Sequence, residues 1–126
     1  MQEVAYRDTP AAEGTVVAKA VLRAADQLGV PARALGGVIG LSEPTISRMK
    51  RGTFSLERGT KPFELALLFV RLFRSLDAIV GGDETVARAW LWQENSALGG
   101  RPIDNIQTVS GLTHAIAYLD TRRAVV

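Results

Sequence analysis

The residues best equipped for chemistry in this chain are cationic and hydroxylic rather than nucleophilic. Ser42, Glu43, Thr45, Ser47, Arg48, Lys50 and Arg51 crowd into ten positions. Arginine reads a guanine edge bidentately, lysine and arginine meet phosphates, and short hydroxyls serve either purpose. Glu43 would repel phosphate, but it can accept from a cytosine amine. The surrounding charge agrees. From Pro31 to Ser75 eight bases stand against three acids, a net of +5. From Leu76 to Thr121 six acids stand against Arg88 and Arg101, a net of −4, before Arg122 and Arg123 close the chain. The formal net of +2 therefore averages surfaces of opposite sign, which suits two different partners.

Enzyme chemistry has little to work with. There is no cysteine, so thiol catalysis, disulfides and Cys–zinc sites are excluded. The single histidine, His114, has no nucleophile at a telling spacing and reads as a surface residue. Asp83 and Glu84 are explained by a helix start. Gly81-Gly82 and Gly99-Gly100 lack the lysine and the preceding strand of a phosphate loop. No catalytic residue, metal or cofactor is expected. The N-terminus lacks the basic start and apolar run of a signal peptide, so the expected location is the cytoplasm.

A chain of 126 residues that is 47% hydrophobic fits one compact domain, or two small helical subdomains sharing a core. Residues 1–14 show no apolar periodicity and read as a flexible arm. Thr15 caps a first helix with Val17, Ala20, Val21, Ala24 and Leu28 on one stripe, stopped by Gly29. Pro31 opens a second helix to about Ile39, and Gly40 breaks it. Ser42 caps a third, running to about Arg51. A long helix follows from about Phe63 to Val80. Asp83 caps the next, to about Gln93. Pro102 opens a short one, and Ser110 caps the last, to about Arg123. No stretch alternates with period two for long, so the fold class is all-α.

Phe63–Val80 is the most apolar stretch, but Glu64, Arg71, Arg74 and Asp77 interrupt it, which argues against a membrane span. A helix apolar on so much of its surface must be enclosed. It is expected to be the central helix of the monomer and to lend part of its surface to a homodimer.

Residues 31–51 have helix-turn-helix spacing. Leu35 and Ile39 lie one turn apart, Gly36 is small at a close approach, and Gly40 suits a left-handed turn. Leu41, Ile46 and Met49 pack the second helix back on the first. That leaves Thr45, Ser47, Arg48 and Lys50 outward, on a helix whose first turn can enter the major groove. The same spacing also fits a purely structural helical hairpin.

Farther on come Trp90-Leu91, then Asn95-x-x-Leu98-Gly99-Gly100-x-Pro102, then Thr108-x-x-Gly111. Behind an Xre/Cro-like helix-turn-helix, this order resembles the Xre/MbcA/ParS toxin-binding antitoxins of RES–Xre toxin–antitoxin systems, over about residues 16–126. The resemblance implies a helix-turn-helix bundle over 15–80 and a small helical toxin-binding domain over 81–126. It also implies an antitoxin that inhibits a RES-domain toxin that degrades NAD, and that represses its own operon as a dimer. The C-terminal helix and tail would enter the toxin's cleft, placing Tyr118, Asp120, Arg122, Arg123 and Val126 at the contact. The expected partners are a RES-domain toxin, operator DNA and a second copy of the chain. The competing readings are a stand-alone regulator without a toxin partner and a structural adaptor that no longer binds DNA.

Overall fold

The computed structural model describes residues 10–125. Among them seven α-helices follow one another without a β-strand: α1 (Pro10–Gln27), α2 (Ala32–Ile39), α3 (Glu43–Lys50), α4 (Lys61–Val80), α5 (Glu84–Trp92), α6 (Pro102–Asn105) and α7 (Val109–Val125). The all-α expectation holds.

α4 organises the rest. Its N-terminus is capped by Thr60, whose hydroxyl accepts from the Phe63 amide at 3.4 Å, so the helix starts two residues before the expected Phe63. Phe63, Ala66, Phe69, Leu72, Ser75 and Leu76 form its buried face. It packs against α1, α2, α5 and α7, and is the central helix of the chain. One continuous apolar cluster joins Val21 of α1, Leu28 just past its end, Leu35 of α2 and Ile46 of α3 through Phe69 and Leu72. It continues to Leu91, Ile103, Leu112 and Leu119. Burial on this scale drives the folding, at about 25 cal/mol per Å² of apolar surface.

Two further boundaries differ from the expectation. α1 begins at Pro10 rather than after Thr15, so residues 10–14 are helical, while residues 1–9 lie outside the described residues. Gly14 does not break the helix. It is buried in it, where any β-carbon would run into the Leu56 carbonyl, and Glu13 beside it pairs with Arg58 at 3.4 Å. α7 begins at Val109, and its cap is Thr108, not Ser110: the Thr108 hydroxyl accepts from the Gly111 amide at 3.0 Å. Gly111 packs so closely on the Asn105 carbonyl that a β-carbon has no room. A threonine that caps and a glycine that lets α6 approach α7 explain the Thr108-x-x-Gly111 spacing.

The helix-turn-helix forms as expected. Gly40 takes φ +78°, and the amides of Gly40 and Leu41 both donate to the Gly36 carbonyl at 2.8 and 3.0 Å. Leu35, Ile39, Ile46 and Met49 are buried, while Leu41 is only half-buried because it ends the turn rather than entering the core. Of the adjacent glycines of α2, Gly36 faces the Leu41 carbonyl, which leaves no room for a β-carbon, whereas the exposed Gly37 faces only the movable end of the Gln107 side chain.

Candidate functional site

α3 presents its cationic side from a capped first turn. The Ser42 side chain accepts from the Thr45 amide at 3.2 Å, and the two hydroxyls lie 2.7 Å apart. Arg48 donates through Nη2 to the Thr45 hydroxyl at 2.9 Å. Ser42, Thr45 and Arg48 thus form one chain of polar groups along the helix. Glu43, Arg48, Lys50 and Arg51 are exposed, Ser47 is half-buried, and Ile46 and Met49 hold the opposite side in the core. The helix end is closed by the Thr53 hydroxyl, which donates to the Arg48 carbonyl at 3.1 Å. All seven expected residues therefore lie on or beside one short, rigid helix. Lys50 and Arg51 also line a groove of about 280 Å³ with Lys19 of α1, a cation that the local spacing of residues 31–51 could not reveal.

Of the five residues expected at the C-terminal contact, the four described ones are not brought together on one face. Tyr118 and Arg122 lie on one flank of α7. Arg122 donates to the Tyr118 hydroxyl at 2.6 and 3.1 Å, its guanidinium 5.0 Å from the ring centroid. Asp120 and Arg123 lie on another flank, against α4. Asp120 accepts from Arg71 at 2.6 Å and from the hydroxyl of the buried Ser75 at 3.0 Å, and Arg123 donates to that same hydroxyl at 3.2 Å. The Ser75 hydrogen bond holds the Asp120 carboxyl below its ordinary range, opposed by burial and helped by Arg71 and Arg123. Val126 lies outside the described residues. His114 is exposed on α7, as expected.

The domain carrying α7 is tied to the helix-turn-helix by groups that motif reading missed. Arg88 donates to the Gln27 and Asp26 carbonyls at 2.8 and 3.0 Å and so satisfies the C-terminal end of α1, while pairing with Glu84 at 2.9 Å. The Trp92 indole N–H donates to the Leu28 carbonyl at 3.0 Å. Gln107 donates to the Ala34 carbonyl of α2 at 3.3 Å. Trp90 and Trp92 both pack half-buried against the core, with Leu91 fully buried between them. The turn that follows is built by Asn95, which exchanges backbone hydrogen bonds with Gly100 at 2.9 and 3.2 Å. Its side chain accepts from the Ala97 and Leu98 amides.

A short capped cationic helix on one side and a docked helical module on the other match two families. Residues 9–71 match the antitoxin Xre-like helix-turn-helix domain, and residues 75–124 match the antitoxin Xre/MbcA/ParS C-terminal toxin-binding domain. The chain belongs to the Xre-type antitoxins. The two matched segments meet inside α4, so the central helix of this antitoxin serves both. No curated protein matches the sequence. Among the described residues no helix is long and apolar enough to cross a membrane, and no group of His, Asp and Glu could hold a metal ion.

Proposed function

We propose that this antitoxin neutralises a RES-domain, NAD-degrading toxin by setting the end of α7 in the toxin's active-site cleft. We further propose that it represses its own operon through α3, working in the cytoplasm. The observation that carries the first part is the attachment of α7. Asp120 fastens the helix to Arg71 and Ser75 of α4, so the following turn is held at a fixed angle with Arg122 and Arg123 exposed. A helix held this way through Arg123 brings part of its contact surface already ordered, which lowers the cost of binding. Tyr118, Arg122, Arg123 and Val126 are the contacts in this reading, and Asp120 is a positioning residue. Arg pairs that become fully desolvated can dominate an interface.

Deleting Arg122–Val126 tests it. Cells expressing the toxin lose rescue and their NAD falls, while retardation of operator DNA is unchanged. Unchanged rescue would sink the active-site reading.

The operon reading rests on Ser42, Glu43, Thr45, Ser47, Arg48, Lys50 and Arg51 at the major groove. A homodimer would present two such helices to the two half-sites of an operator. Val16 and Leu67 support that dimer. They are 66% and 46% exposed and flank a groove of about 560 Å³ between α1 and α4. Leu67→Glu is expected to halve the mass measured by light scattering; an unchanged mass would remove this face from the dimer.

A further inference from the structure

The matched toxin-binding segment has a further surface beside the end of α7, sharing Tyr118 and Arg122 with it. A groove of about 560 Å³ runs between the last turn of α4, α5, the turn at 94–97 and α7. Ile79 and Val86, 39% and 47% exposed, face it from two different helices. The half-buried rings of Trp90 and Tyr118 wall it. One exposed aliphatic residue is ordinary on a protein surface. Two from separate helices, meeting two aromatic rings in one concavity, are the composition of a binding hot spot. α5 shows the arrangement clearly. Ala87 and Leu91 bury one face in the core, while Val86 and Trp90, also one turn apart, present a second apolar face to the groove.

We propose that this groove is the toxin's docking site, and that affinity resides here while inhibition resides in the tail. The inference rests on the antitoxin reading above. Three observations select the toxin as occupant. All the groove's lining lies within residues 75–124, the segment matched to the toxin-binding domain. Arg122 lines the groove and also begins the tail proposed to enter the active site, so the two surfaces are continuous. The lining carries two charges, the exposed Glu94 on the rim and Arg122 where the tail begins, and each calls for an opposite charge on the partner. The fitting partner surface is a projecting apolar side chain flanked by lysine or arginine, with an acceptor for Arg122. The Arg122–Tyr118 contact holds the ring against the groove wall before any partner arrives.

The experiment uses the full chain and the toxin product of the neighbouring gene, purified by co-expression, with affinity and toxin inhibition read separately. Val86→Glu and Ile79→Glu alter exposed side chains, so the fold should survive, which the far-UV spectrum checks. Each is expected to weaken toxin binding at least ~30-fold, the size of a hot-spot loss. Val109→Glu, on a 58% exposed residue away from the groove, is expected to leave affinity unchanged. Deleting residues 123–126 is expected to leave affinity within ~10-fold while abolishing inhibition. Wild-type affinity in both groove variants, or a loss of affinity on tail deletion as large as theirs, overturns the inference. So does an equal loss in Val109→Glu, which would show a general effect of charge. A lower mass for Val86→Glu without toxin also overturns it, by assigning the groove to a second copy. If the wild-type chain binds no toxin at all, the antitoxin reading itself fails, and that result is distinct from the others.

Discussion

Asp120 receives hydrogen bonds from two residues of α4, and this decides how its flank of α7 behaves. Its carboxyl is held below the ordinary range first by Ser75, against burial, and then by Arg71 and Arg123. A carboxyl depressed in the folded state contributes stability above its unfolded value of about 4, and that contribution is lost as pH falls through the folded value. Asp120→Asn is therefore expected to melt below the wild type at neutral pH. The gap should narrow as pH drops below about 4, as thermal melts at several pH values would show. A gap independent of pH would mean that the carboxylate's charge plays no part. Arg48 belongs to the other face. Its hydrogen bond to Thr45 orders it, yet it remains exposed. Arg48→Ala is expected to weaken operator binding by about 1–3 kcal/mol if it reads a base. If it meets phosphate instead, the slope of log affinity against log salt falls by about one. A titration at several salt concentrations separates the two cases. The residue types at both sites were legible in the sequence. The splitting of Tyr118 and Arg122 from Asp120 and Arg123 was also available: residues two apart on a 3.6-residue helix lie about 200° around its axis. What could not be read was Ser75, a small hydroxyl in an apolar helix whose partners stand 45 and 48 residues away.

At the level of elements, the helices were legible wherever a cap and a period agreed. Ser42 and Asp83 cap α3 and α5 as their chemistry dictates, accepting from Thr45 and Val86 at 3.2 Å. The boundaries differ from the expectation where a glycine lies inside the first turns of a helix. Gly14 and Gly111 are both helical, and each is small because a carbonyl from elsewhere in the fold presses on it. Local propensity counts such a glycine as a cost of about 1 kcal/mol and cannot see the neighbour that requires it. Gly111→Ala is accordingly expected to destabilise the chain by about 1–3 kcal/mol, although alanine is the better helix former, because the α6–α7 approach must open. Thr108→Ala, which removes only the cap, should cost about 1 kcal/mol. Urea midpoints for the two variants test the ordering; a stabilised Gly111→Ala would show that the contact yields easily.

Across the whole molecule, two matched families share one core. α4 crosses the junction between them, and Phe69 and Leu72, both fully buried, sit in a cluster that reaches from α1 to α7. Arg88, Trp92 and Gln107 add polar ties from the C-terminal part to α1 and α2. Composition foreshadowed a shared core, but pairings across more than 60 residues, such as Trp92 with Leu28, follow from the packed fold and leave no local signature. The architecture makes a cooperative prediction. Both tryptophans, Trp90 and Trp92, lie in the toxin-binding segment, so fluorescence reports on that half, while far-UV circular dichroism reports on every helix. If the core is one unit, the two signals should trace a single urea transition. Phe69→Ala, on the helix-turn-helix side of the junction, should shift both curves together by about 3–5 kcal/mol. If fluorescence holds its wild-type midpoint while dichroism falls early, the two halves unfold separately. In that case α4 would be a linker between independent domains rather than their common core.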